Sequence, residues 1–118
     1  SSKKAQNLVD DISALTPPAG RTNVTYAQKY DVIARSSLTD KEKLAALEIY
    51  ATDGAYAKYV AANKAGISVS DWTKLTSKLD SSVSQDELRT AIKATIPSSK
   101  QEAAWNVYAQ ERGWKTSW

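Results

Sequence analysis

The chain contains no cysteine, no histidine, no methionine and no phenylalanine among its 118 residues. Without cysteine there is no disulfide framework and no thiolate zinc site, and the redox compartment is left open. Without histidine, the side chain best suited to proton transfer near neutral pH is missing, as are imidazole metal ligands. No apolar run approaches the roughly 18 to 20 residues of a membrane span. The four glycines stand singly at positions 20, 54, 66 and 113, so no glycine-rich phosphate loop is present. Enzymatic function is therefore not expected, and neither is a cofactor, a metal or a membrane partner.

What remains is ordinary in bulk, at 42% hydrophobic and 25% charged residues. The length fits one domain. The net charge of +3 comes from 16 basic and 13 acidic residues, the basic ones spread evenly and most with acidic neighbours, as in Lys41-Glu42-Lys43 and Glu111-Arg112. This pattern predicts a mixed-charge solvated surface. The first residue, Ser1, is not followed by a signal-peptide layout. The expectation is a fragment of a longer chain or a processed end.

A recurring phrase carries most of the structural information: an apolar residue, then Ser or Thr, then Glu or Gln three places on. It occurs as Val24-Thr25…Gln28, Leu38-Thr39…Glu42 and Val83-Ser84…Glu87, and more loosely as Ile96-Pro97-Ser98…Gln101. Each predicts a helix start. The hydroxyl accepts from an orphan N–H of the first turn, and the Glu or Gln side chain reaches back to the cap residue's own N–H. The resulting reading is an all-α bundle of six or seven short helices. Two related helical hairpins, at about 25–52 and 84–112, are joined by a linking helix around Trp72.

Ahead of them, Ala5, Leu8, Ile12 and Leu15 form a stripe that predicts a helix over 3–15. Thr16-Pro17-Pro18-Ala19-Gly20 stops it and reads as a hinge, making 1–20 an arm on a helical domain of 21–118. Asp53-Gly54 either ends or kinks the second hairpin helix, and Gly66 reads as a helix stop. The expected core is Leu8, Ile12, Tyr30, Ile33, Leu44, Leu47, Tyr50, Val60, Trp72, Leu75, Leu79, Leu88, Ile92, Trp105 and Tyr108. Trp114 and Trp118 lie beyond the Gly113 stop with Lys115 between them. They either fold back on the bundle or meet a partner, where tryptophan is a favoured anchor.

The two hairpins also match in sequence. Residues 44–51 lie over 102–109 at an offset of 58, with four of eight positions identical, and an offset of 59 pairs Ile33 with Ile92. Duplication of a two-helix unit is the expectation.

Sites of chemistry are sparse. Asp10-Asp11 and Asp86-Glu87 are sequence neighbours whose side chains diverge by about 100° on a helix, so neither pair forms a site alone. The stretch 80–87 invites comparison with a calcium loop, but Ser81 stands where glycine is needed and Lys78 at a ligand position. Ser98-Ser99-Lys100 reads as a helix start and not as a nucleophile pair. A nucleic-acid reading treats 84–112 as a helix-turn-helix presenting Lys100, Gln101 and Asn106, although Glu102 and Glu111 share that helix.

From Tyr26 onward the order of signals is familiar: Lys29-Tyr30-Asp31-Val32-Ile33, Leu38-Thr39-Asp40-Lys41-Glu42-Lys43, Tyr56-Ala57-Lys58-Tyr59, Ala65-Gly66-Ile67-Ser68 with Trp72, Val83 to Leu88, Gln101 to Trp105 and Gly113-Trp114-Lys115. This series resembles helical segments of long bacteriophage or prophage structural proteins, of minor virion or tail-associated type. The resemblance spans residues 26–115 and consists of cap-and-stripe phrases. It implies a non-enzymatic structural or protein-interaction module. Its partner would be a virion or host component, or the rest of its own longer chain, in the virion or the bacterial cytoplasm. It carries no catalytic residues.

Overall fold

The computed structural model describes residues 3–118 and places seven α-helices and one short 3-10 turn, with no strand among the described residues. The helices are α1 (Lys3–Ser13), α2 (Tyr26–Arg35), α3 (Asp40–Tyr50), α4 (Asp53–Lys64), α5 (Val69–Ser77), α6 (Gln85–Thr95) and α7 (Gln101–Arg112). The chain divides into two compact units, 1–56 and 57–118, with the boundary inside α4.

Three of the four cap phrases close as reciprocal capping boxes. Thr25, Thr39 and Ser84 accept from the backbones of Gln28, Glu42 and Glu87, whose side chains in turn accept from the cap N–H groups. Ser68 adds a fourth side-chain cap, accepting from the Asp71 N–H at 3.1 Å. The Ser98 phrase does not cap. Pro97 begins a 3-10 turn over Ser98–Lys100, and α7 starts at Gln101 without a side-chain cap. Gln101 instead donates through Nε2 to the Ile96 carbonyl at 3.0 Å, one of the carbonyls orphaned at the end of α6.

In the first unit α1 packs on α2, and α2 on α3, so the α2–α3 hairpin forms as expected. Helix α1 ends at Ser13, two residues short of the expected Leu15. Pro17 disfavours helical geometry at Thr16, and the Leu15 N–H closes a tighter turn onto Ile12. Gln28 ties the following hinge to α2: its Nε2 donates to the Thr16 carbonyl at 2.7 Å while its Oε1 accepts from the Thr25 N–H. Helix α3 stops at Ala51 in an extended conformation, and Asp53 opens a separate helix. Thr52 starts it, accepting the Ala55 N–H at 3.4 Å.

The buried side chains of this unit include Leu8, Ile12, Ile33, Ala34, Leu38 and Leu47. Tyr30, Leu44 and Tyr50, expected inside, are only half-buried. Tyr30 keeps its hydroxyl at the α3–α4 turn, where it accepts from the Thr52 N–H. Beside Leu44, the buried place goes to Lys43, which is 8% exposed and donates its ammonium to the Ala34 carbonyl at 2.8 Å. The lysine stem covers apolar surface while its head satisfies an orphan acceptor at the end of α2.

In the second unit α5 packs on α6 and α6 on α7. Trp72, Leu75, Leu88, Ile92, Trp105 and Tyr108 are buried as expected, with Val69 at the start of α5 and Ile67, Val83 and Ile96 from the connections. Val60 and Leu79 are half-buried; the buried α4 positions are Ala62 and Tyr59, whose hydroxyl lies 2.6 Å from that of Thr73. Gly66 and Gly113 take left-handed φ values of 92° and 70°. Each is followed by an N–H that reaches back five residues, Ile67 to Ala62 and Trp114 to Ala109, the hallmark of a Schellman stop.

Candidate functional site

The most concentrated chemistry lies where α6, the end of α7 and the segment after Gly113 meet, all in the second unit. Its centre is Trp105, fully buried on α7 because it continues the apolar stripe of Ala104 and Tyr108. The Schellman stop turns the chain back along α7, so the following segment returns to that tryptophan. The Trp114 ring stacks on Trp105 with centroids 5.7 Å apart and 22° between planes. Trp118 tilts against Trp105 at 6.0 Å. The Trp105 indole N–H donates to the Lys115 carbonyl at 3.0 Å. Of the two sequence alternatives for this segment, folding back is what occurs, and both outer tryptophans are left half-buried.

Cations surround the rings. Arg89 of α6 sits with its guanidinium carbon 4.1 Å from the Trp105 centroid, and Lys93, one turn on, places its ammonium 5.8 Å from Trp118. Arg112 lies 5.3 Å from Trp114 and 5.4 Å from Tyr108. Such contacts are each worth about 0.5–2 kcal/mol, more as water is excluded. Burial raises the Tyr108 phenol well above the ordinary tyrosine range. The evenly spread charge pattern predicted a mixed surface. Here the fold gathers Arg89, Lys93 and Arg112 instead, with the Lys115 backbone against the same rings, because the i, i+4 spacing on α6 and the return of the chain after Gly113 converge on one ring system.

Carboxylates near these cations are few. Asp86 lies 3.8 Å from Arg89 and is fully exposed. Glu111 is 3.9 Å from Arg112 but closer to Lys58, at 2.7 Å. Lys93 and Lys115 are exposed, and neither has a carboxylate within ion-pair distance among the described residues.

The three residues of the nucleic-acid reading do not converge. Lys100 belongs to the 3-10 turn before α7, and Gln101 and Asn106 point about 140° apart around the α7 axis. The Lys100 ammonium lies against Gly66, where an added methyl would meet it at 2.6 Å. Gln101 is held by Ile96, and the Asn106 Oδ1 is buried without a hydrogen-bond partner. The exposed positions of α7 are Glu102, Gln110 and Glu111, and carboxylates there repel phosphates.

Near the calcium-like stretch, an open groove of about 570 Å³ is lined by Leu79, Asp80, Val83, Asp86, Glu87 and neighbours. Its carboxylates are engaged in local structure. Asp80 accepts from the Ser82 hydroxyl and N–H, which hold its carboxyl below the usual range, and Glu87 accepts from the Ser84 N–H. Among the described residues no three acidic groups are grouped to hold a metal ion. No helix among them is long and apolar enough to cross a membrane.

Trp114, Lys115 and Trp118 were legible as candidates from the sequence. Arg89, Lys93 and Arg112 were not, since each reads locally as a solvated charge. The only local hint was the i, i+4 spacing of two cations on α6. No family model, no curated protein and no solved structure matches the chain.

Proposed function

We propose that this chain is a non-enzymatic docking module of a larger phage-type structural protein, of virion or tail-associated kind. The observation that supports docking is the cation-ringed tryptophan cluster of the second unit. Two half-exposed indoles are pinned to a buried third, so they are presented with little conformational freedom left to lose on binding. Aromatic and arginine side chains are also those that dominate binding energy at protein interfaces. Thr25, Thr39, Ser68 and Ser84, with Glu42 and Glu87, are taken up in helix caps. The virion setting rests on the cap-and-stripe resemblance over 26–115, and the matching offsets of the two hairpins fit a duplicated scaffold.

The test is mass spectrometry of purified phage or prophage particles from the source of the chain. Peptides of this chain recovered with the particles, in proportion to known structural proteins, are expected. Their absence from particles and presence in the soluble host fraction would overturn the virion setting.

A further inference from the structure

Resting on the docking reading, we propose that the tryptophan cluster of the second unit is a receptor for an acidic protein segment. Its carboxylates would pair with Arg89, Lys93, Arg112 and Lys115. Charge complementarity carries the choice of partner. Three cations, Arg89, Lys93 and Arg112, border one ring system with Lys115 on the segment folded against it. Among the described residues the carboxylates within ion-pair distance of them are Asp86, 3.8 Å from Arg89 and fully exposed, and Glu111, which is shared with Lys58. Lys93 and Lys115 hold exposed ammonium groups with no ion pair among the described residues. The guanidinium groups lie over the rings; Arg112 Nη1 donates to the Val83 carbonyl at 3.4 Å, and the other N–H groups of the two arginines are the donors a carboxylate would meet.

A single-stranded nucleic acid is the competing occupant, since cations interleaved with aromatics also bind bases. The rings argue against it. Trp105 already has Arg89, Trp114 and Trp118 against it; Trp114 has Trp105 and Arg112; Trp118 has Trp105 and Lys93. A stacking nucleobase would compete with these contacts for ring surface, whereas a carboxylate needs only the cations at the rim.

The experiment measures fluorescence anisotropy of a labelled peptide of alternating Glu and Leu, beside its Gln-for-Glu twin and a labelled single-stranded oligonucleotide. The expected result is salt-sensitive binding of the acidic peptide and none of the twin. Lys93→Glu with Lys115→Glu should weaken binding at least about tenfold. Lys41→Glu with Lys74→Glu, an equal charge change at exposed positions elsewhere, should weaken it less than about twofold. Lys115→Glu alone keeps the backbone carbonyl that holds Trp105, and near-ultraviolet circular dichroism of the tryptophans checks that each variant retains the cluster. Equal binding of the twin, equal weakening by the two charge-reversed pairs, or tighter binding of the oligonucleotide would each overturn the proposal. Recovery of the chain from purified particles together with such a failure would remove only the acidic partner and leave the virion setting standing.

Discussion

The indole N–H of Trp105 donates to the backbone carbonyl of Lys115 across 3.0 Å. This one bond joins a buried helix position to the segment after Gly113 and satisfies a donor that would otherwise be buried without a partner. Because the acceptor is main chain, the Lys115 side chain stays outside and is free to act on something else.

Trp105→Ala should therefore cost more than an ordinary core truncation. The cavity term for a buried tryptophan is about 3–5 kcal/mol, and Arg89, Trp114 and Trp118 lose their packing partner at the same time. Urea unfolding should show this loss. Trp114→Ala removes a half-buried ring and should cost clearly less, which the same measurement ranks.

Lys43 is a buried lysine whose value lies in one bond. Lys43→Met keeps the apolar stem but leaves the Ala34 carbonyl without its donor. The expected loss is about 1–3 kcal/mol by denaturant titration. A neutral result would mean that water reaches that carbonyl.

Ser84 and Ser98 separate a real cap from a cap-like phrase. Ser84 closes a capping box, so Ser84→Ala should destabilise by about 1 kcal/mol. Ser98 lies in a 3-10 turn headed by Pro97 and makes no cap, so Ser98→Ala should change stability by less than about 0.5 kcal/mol. Equal losses would place the α7 cap back at Ser98.

Glu42 sets an acid limb. Its carboxyl is held below the usual range chiefly by the Thr39 N–H, then by the Thr39 hydroxyl. A depressed folded value means that this stabilisation is present above the unfolded pKa and is lost as pH falls through the folded one. Asp80, held down by Ser82, acts with the same sign. Glu42→Gln should retain stability near neutrality, because Gln28 makes the equivalent bond at Thr25. It should also flatten the fall in melting temperature below the ordinary carboxylate range.

Tyr108 acts at the opposite end. Its phenol is raised mainly by burial, so the unfolded chain ionises first as pH climbs past the ordinary tyrosine range of about 10. Stability should be intact below that pH and decline above it. Tyr108→Phe should make the alkaline decline shallower in a melting series.

The amino-acid sequence by itself determined where most helices begin and end. Capping boxes at Thr25, Thr39 and Ser84 join residues three apart, and the stops at Gly66 and Gly113 need only a backbone that tolerates positive φ, so both are written within a single turn. The stripes Leu8/Ile12, Trp72/Leu75 and Leu88/Ile92 were legible for the same reason, since one helical period decides which face is apolar. Even locally the pattern had a limit: the Ser98 phrase has the spacing of a cap, but Pro97 and the Ile96 carbonyl drew its residues into other bonds. Tertiary structure alone decided that Lys43 is buried, since its acceptor belongs to the preceding helix. It alone gathered Arg89 and Lys93 with tryptophans far along the chain, at 105 and 118. Those partners are set by how helices pack and where the chain returns, and no local spacing encodes either.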